Sequence, residues 1–217
     1  MRDGHLDPAP ARLAAVILAG GRARRLGGRD KPMVAVGGVP MLHRVLAAVT
    51  EVGAAPRVVV GPGREGLPGD VRVVREEPAG GGPVAAAAAG LAELGALVRP
   101  VPPRGDRAVV PRLVALLAAD LPLLTGKSIE MLARAVDEGG VEGAVFLDGE
   151  GRRQLLCGVW RTSALAETIA RHGVVEGASL RALVAGLDVR EVRWERPQPP
   201  YFDCDTEEDL RRMDASE

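Results

Sequence analysis

Two short stretches, Leu13–Leu18 (LAAVIL) and Leu113–Ala118 (LVALLA), are apolar at every position. A strand with one wet face alternates polar and apolar residues, so a six-residue run without a polar side chain must be covered on both faces. That condition is met inside a parallel sheet with helices packed above and below. The first run ends in Ala19-Gly20-Gly21 and the second in Ala119-Asp120 followed by Pro122. Each therefore closes on residues that stop a strand and expose backbone or charge.

The rest of the chain supplies the covering layers. Pro40–Val52 places Leu42, Val45, Leu46 and Val49 on one helical face, and Pro40 suits a helix start. Arg57–Val60 and Val71–Val74 read as short strands around a Gly/Pro-rich turn. Pro83–Leu97 is Ala-rich and helix-prone. Val98–Asp106, with three prolines, reads as a surface excursion. Thr125 is placed to cap a helix over Gly126–Val136. Ala144–Leu147 and Gln154–Trp160 flank Asp148-Gly149-Glu150-Gly151, a hairpin turn. Thr162–Arg171 and Ser179–Val184 read as helices, with Ser179 as N-cap, and Val189–Trp194 as a strand. Thr206 with Asp209 has the spacing of a capping box before a C-terminal helix. Strand and helix alternate until a hairpin interrupts, which predicts an α/β fold of three Rossmann-like layers: a mostly parallel twisted sheet with one antiparallel strand.

Composition narrows the function classes. A chain of 217 residues suits one domain, read here as 12–217 behind a loose tail over 1–11. A formal net charge of −1 gives no field for nucleic acid or an anionic membrane, and two Trp, two Phe and one Tyr leave no base-stacking platform. No apolar run reaches the roughly 20 residues of a membrane span. Cys157, in an apolar run, reads as a buried strand residue and Cys204 as a strand-end packing residue. The pair suits a reducing compartment, so the cytoplasm is expected. The three histidines are scattered and take no role. The oligomeric state stays open, a homo-oligomer included.

Chemistry concentrates in Leu18–Lys31, where four glycines and five cations follow a buried strand. Glycines let backbone N–H groups approach a polyphosphate, and Arg25 and Lys31 are placed to neutralise phosphate oxygens. Arg22, Arg24 and Arg29 read equally well as water-facing charges. The segment is neither a Walker A loop nor a Gly-x-Gly-x-x-Gly fingerprint. Asp120, just past a buried strand, lies where open α/β sheets bind ligands, and one or two carboxylates with phosphate oxygens satisfy Mg²⁺.

With these residues in view, Leu18-Ala-Gly-Gly-x-x-x-Arg25-Leu-Gly-Gly-x-Asp-Lys31 resembles the nucleotide-binding motif of the sugar-nucleotidyltransferase-like superfamily. Its ending is especially similar to that of the molybdenum cofactor guanylyltransferases, the MobA-like NTP transferase family. The resemblance runs from Leu13 to Met213 through further segments. Glu76-Glu77-Pro78 and Gly82-Pro83 stand where the family has an Asp and then Gly-Pro-Leu-Ala-Gly, with Ala86 at the last glycine. Asp120-Leu-Pro122 matches the family's metal-binding segment. Asp203-Cys-Asp205-Thr206-Glu207 stands where the family has Asn-Thr-Pro. Gln154-Leu-Leu156 lacks the family's proline, and Ser179-Leu-Arg181 looks like its Ser-x-Arg helix start, with Arg181 near a phosphate or simply on the surface.

The resemblance implies a nucleotide-diphospho-sugar transferase-like fold and a Mg²⁺-dependent nucleotidyltransferase releasing pyrophosphate. It implies a nucleoside triphosphate, GTP favoured, bound by Leu18, Ala19, Gly20, Gly21, Arg25, Lys31, Glu77, Gly82 and Pro83. Arg25, Lys31 and Asp120 would be catalytic, and Asp120 and Asp205 would hold the metal. The acceptor would be molybdopterin or another phosphate-bearing molecule. CTP with the same pterin, a sugar-phosphate or phospholactate acceptor, and a catalytically idle nucleotide-binding relative stand as the alternatives.

Overall fold

A computed structural model describes residues 12–20, 29–97 and 111–214. In chain order the elements are β1 (Leu13–Leu18), β2 (Ala35–Val36), β3 (Val39–Pro40), α1 (Met41–Glu51), β4 (Arg57–Val60), β5 (Val71–Val74) and α2 (Pro83–Leu97). They continue with β6 (Leu113–Ala118), α3 (Gly126–Gly139), β7 (Gly143–Leu147), β8 (Arg153–Arg161), α4 (Thr162–His172), α5 (Leu180–Leu183), β9 (Val189–Arg193) and α6 (Glu207–Asp214).

The main sheet runs β5-β4-β1-β6-β8-β7-β9, and its pairs are parallel except those made by β8. One reversed strand in a parallel sheet is the predicted architecture. The apolar runs explain its centre. β1 lies between β4 and β6, with Leu13 opposite Leu113 and Leu18 opposite Ala118. Leu13, Ala15 and Ile17 face a layer built on Leu42, Val45 and Val49 of α1 and Ile129, Leu132 and Val136 of α3. Ala14, Val16 and Leu18 face Val84, Ala87 and Leu94 of α2, with Leu165 of α4 and Leu183 of α5. Successive residues of one strand thus serve opposite cores.

Local signals hold where they rest on side chains close in sequence. The Ser128 amide donates to Thr125 Oγ1 at 3.3 Å, and Gly140 closes α3 in the left-handed region. Asp148 Oδ1 accepts from the amides of Glu150 and Arg152, which makes the β7–β8 turn. Thr206 Oγ1 accepts from the Asp209 amide while Asp209 Oδ2 accepts from the Thr206 amide.

Three readings change. Ser179 occupies the N-cap position of α5, a single turn over Leu180–Leu183 that runs straight into a 3-10 turn, but its hydroxyl makes no capping hydrogen bond. Pro40 is both the N-cap of α1 and the end of a two-stranded hairpin, β2–β3, turned by Gly37 and Gly38 at positive φ. Two-residue strands carry no readable periodicity, and the pair Gly37-Gly38 is the local signal of the hairpin. Cys204 is buried, as expected, yet it lies in coil beside Val36, Met41 and Met213 instead of at a strand end. Cys157 is buried in β8. The tail 1–11 and the expected excursion Val98–Asp106 lie outside the described residues.

The winding places the site. From β1 the chain moves through α1 to β4 and β5 on one side. It then returns through α2 to β6 on the other side of β1. The order reverses between β1 and β6, and open α/β sheets bind ligands at the carboxyl end of that switch point.

Candidate active site

Leu18, Ala19 and Gly20 stand at that switch point. The Ala19 amide donates to Val60 O at 2.8 Å, and the Ala119 amide to Leu18 O at 3.1 Å, so the parallel pairing extends just past the strands. The next residues, Gly20 and Asp120, leave the sheet together. Beside them Gly61 approaches so closely that a side-chain carbon would sit 2.8 Å from the Ala19 carbonyl. Only glycine fits there.

Lys31 comes back to this point from the first turn of a 3-10 segment, Lys31–Met33. Its Nζ donates to Asp120 Oδ2 and, at 2.5 Å, to Asp205 Oδ1. The Lys31 side chain is 18% exposed, which makes this a partly buried three-charge cluster. Burial pushes the ammonium pKa down, but the hydrogen bonds it donates to Asp120 and Asp205, with their charges, outweigh burial and leave it raised. Asp205 reaches the cluster because its neighbour Cys204 is anchored: the Cys204 amide donates to Asp120 O at 3.2 Å, with the thiol packed against Met41 and Met213. Asp203 lies at the edge of the cluster. Desolvation, then the charges of Asp205 and Asp120, push its carboxyl above the ordinary range.

Residues 29, 30 and 31 are each tied to a different element. Arg29 pairs with Glu207 at the start of α6. Asp30 receives a two-pronged contact from Arg64, Nε to Oδ2 at 2.6 Å and Nη2 to Oδ1 at 2.8 Å. Arg64 also donates to Ala19 O at 2.8 Å. In the sequence Asp30 stood in the motif ending without a role of its own, and Arg64 went unmarked. The available signal was a cation in Gly61-Pro-Gly-Arg64, directly after a buried strand.

On the other flank, Gly80–Gly82 lead into the N-terminus of α2 at Pro83, where free backbone N–H groups suit an electronegative ligand edge. The carboxylate that faces β1 is that of Glu76. A side-chain carbon on Gly20 would lie 3.5 Å from its Oε1, which accepts the Gly80 amide at 3.0 Å. Glu77, the residue singled out from sequence, is exposed. The loop before α5 joins this flank through the Gly177 amide, which donates to Gly81 O at 2.8 Å. Arg181 is exposed nearby in sequence, and Gln154 donates to Asp148 in the hairpin turn. Gly21, Arg22, Arg24 and Arg25 lie outside the described residues.

The structure thus brings together Leu18, Ala19, Gly20, Lys31, Asp120 and Asp205. It sets Gly82 and Pro83 on the α2 flank. A metal fits the donor set by its chemistry: two carboxylates already converge on one cation, the Lys31 ammonium. Mg²⁺ takes one or two carboxylates and fills its shell with phosphate oxygens and water. No group of three or more His, Cys, Asp or Glu side chains poised for a metal occurs among the described residues.

A doubly wound, mostly parallel sheet with one reversed strand is the fold of the nucleotide-diphospho-sugar transferase-like nucleotidyltransferases. A structure from Archaeoglobus fulgidus, of molybdopterin-guanine dinucleotide biosynthesis protein A, shares it: TM-score 0.67 and 17% identity, covering 94% of this chain and 97% of that one. The model of the MobA-like NTP transferase domain matches residues 15–194, and the chain belongs to that nucleotidyltransferase family. A probable molybdenum cofactor guanylyltransferase of Mycobacterium avium is 31% identical, over 93% of this chain and 94% of its own length. The molybdenum cofactor guanylyltransferase of Rhodobacter capsulatus is 32% identical, over 94% of this chain and 95% of its own length. No helix among the described residues is long and apolar enough to cross a membrane.

Proposed function

We propose that this enzyme transfers GMP from GTP to the phosphate of molybdopterin carrying molybdenum, forming a guanine dinucleotide cofactor and releasing pyrophosphate. The single observation that carries the reading is the meeting of Lys31, Asp120 and Asp205 at the switch point between β1 and β6, in a chain whose curated relatives bear that name.

An acceptor phosphate oxygen attacks the α-phosphorus in line as the bond to the β-phosphate oxygen breaks. Little covalent work falls to the protein, so its part is positioning and charge neutralisation. Lys31, exchanged from its carboxylates, holds phosphate oxygens, and Arg25 from the same segment does likewise. Asp120 and Asp205 would hold Mg²⁺, which supplies charge neutralisation on the phosphates. The backbone of Leu18–Gly20 lines the nucleoside. The carboxylate facing Gly20, that of Glu76, offers the acceptor oxygens that guanine's N1–H and N2–H₂ donors need.

The test is a panel of GTP, CTP, ATP and UTP with Mg²⁺ and molybdenum-loaded molybdopterin. Pyrophosphate is followed continuously and the dinucleotide weighed by mass spectrometry. GTP turns over, and Asp120→Ala lowers kcat by ~10²- to 10³-fold, the usual cost of losing one stabilising group in the transition state. A cytidine product, or a mutant as fast as the wild type, would refute the assignment.

A further inference from the structure

Asp30 stands at the N-cap position of the Lys31–Met33 turn, yet its carboxylate makes no capping hydrogen bond. An Asp at such a position ordinarily turns its oxygens onto the backbone amides that follow. Here both oxygens are taken by Arg64 from the segment between β4 and β5. The Arg64 side chain is 5% exposed. The same guanidinium donates to Ala19 O at 2.8 Å and to Pro62 O at 3.2 Å. It therefore links three things that sequence separates: the exit of β1, its own loop, and the residue before Lys31. The planar fork suits this task, since it serves a carboxylate with two parallel donors and keeps donors for carbonyls. A lysine ammonium cannot copy that geometry. Asp30 itself remains about half exposed, and Arg64 takes both of its carboxylate oxygens.

We infer that Arg64 is a positioning residue for nucleotidyl transfer: by holding Asp30 to the end of β1 it sets where Lys31 delivers its ammonium. The inference rests on the nucleotidyltransferase reading for its kinetic consequence but not for its structural one. Without the clamp, the 3-10 turn loses its buried tie to the end of β1, and Lys31 no longer meets the two carboxylates in one place. A merely stabilising ion pair would lower the melting temperature and leave Lys31 alone.

The chain has two lysines, Lys31 and Lys127. That makes Lys31 readable by acylation with an N-hydroxysuccinimide acetate, scored by peptide mass spectrometry with Lys127 as the internal standard. In Arg64→Met the Lys31:Lys127 labelling ratio rises several-fold, and kcat/KM for GTP with Mg²⁺ falls about 10- to 100-fold, the scale of a misplaced catalytic group. Asp30→Asn keeps the buried arginine in place and produces the same two changes, which decides the case if Arg64→Met does not fold. Arg64→Lys falls between wild type and Arg64→Met. In a Lys31→Met background, adding Arg64→Met costs little further activity, because the residue it acts through is gone. An unchanged labelling ratio in both Arg64→Met and Asp30→Asn, or losses that simply multiply with Lys31→Met, overturns the inference. If the wild type turns over no nucleotide at all, the transferase reading fails while the labelling ratio still decides whether Arg64 places Lys31.

Discussion

Gly90 and Gly95 stand five residues apart in α2, an Ala-rich helix in which either glycine is a helix-weakening residue. Replacing each by alanine separates propensity from packing. At Gly95 a new methyl meets nothing within 4 Å, so Gly95→Ala collects the propensity gain alone. Near a helix end that gain is about 0.5 kcal/mol. At Gly90 the same methyl would lie 2.4 Å from Val16 Cγ1, 3.2 Å from Val16 Cγ2 and 3.1 Å from Val60 Cγ2. Carbon contacts are comfortable at about 3.5–4.0 Å, so the helix must retreat by roughly 1 Å from β1 and β4. Val16 cannot turn away, because both its methyls face the glycine and its χ1 is stiff. Overpacking of this kind costs roughly 1–3 kcal/mol. Against a propensity gain of about 1 kcal/mol, and with a rigid obstacle favouring the upper end, Gly90→Ala is destabilised by about 2 kcal/mol. For a chain of this size that lowers the melting temperature by ~4–8 °C, while Gly95→Ala raises it by ~1–2 °C. Differential scanning calorimetry of both proteins side by side is the assay. A Gly90→Ala protein as stable as wild type, or more so, would refute the argument that α2 is pressed onto the sheet at this residue. The test also bears on function, since α2 begins at Pro83, directly after Gly82, at its site end.

Other consequences follow from the same contacts. Lys31→Met releases Asp120 and Asp205 from their internal cation, so Mn²⁺ binds the nucleotide-free protein roughly 10-fold more tightly or better, the worth of one charge-assisted hydrogen bond. Paramagnetic resonance titration reads this, and weaker Mn²⁺ binding in the variant would contradict it. Arg64's hydrogen bond, and then its charge, hold the Asp30 carboxyl below its ordinary range against the opposing effect of burial. A depressed folded pKa contributes stability that is complete above the unfolded value of about 4 and lost as pH falls through the folded one. The stability difference between wild type and Asp30→Asn in urea melts is therefore constant from neutral pH to about pH 5 and shrinks below pH 4. Burial, then the charge of Asp209, push the Cys204 thiol up to about 11, and burial raises Cys157 further. Neither thiol reacts with a disulfide reagent at pH 8 until the protein is unfolded; a rapid native-state reaction of one thiol per chain would show that the β2–β3 and α6 packing around Cys204 opens readily.

Much of the fold was legible because its signals are local or periodic. An unbroken apolar run states on its own that both faces are covered. The capping and turn hydrogen bonds of Thr125, Asp148 Oδ1 and Thr206 each close within four residues, so they depend little on anything distant. Lys31 and Asp120 could be marked for the same reason, since each directly follows a buried strand or its loop. What joins them is another matter. Lys31 lies 89 residues from Asp120 and 174 from Asp205, and their meeting depends on strand order, which no local pattern encodes. The β2–β3 hairpin is too short to carry a period, and Ser179 stands at an N-cap position without its hydroxyl making the capping bond.

By itself, then, the sequence determined the buried strands, the alternation that makes a doubly wound sheet, the caps and turns, and the residue types able to handle phosphate. Tertiary structure alone decided that Glu76 and not Glu77 turns toward Gly20, that Gly90 is pressed against Val16 while Gly95 is open, and that Arg64 holds Asp30. The physical reason is shared. Neighbouring residues of the same kind have equal propensities and unequal surroundings, and only the packed sheet and helices distinguish one surrounding from the other.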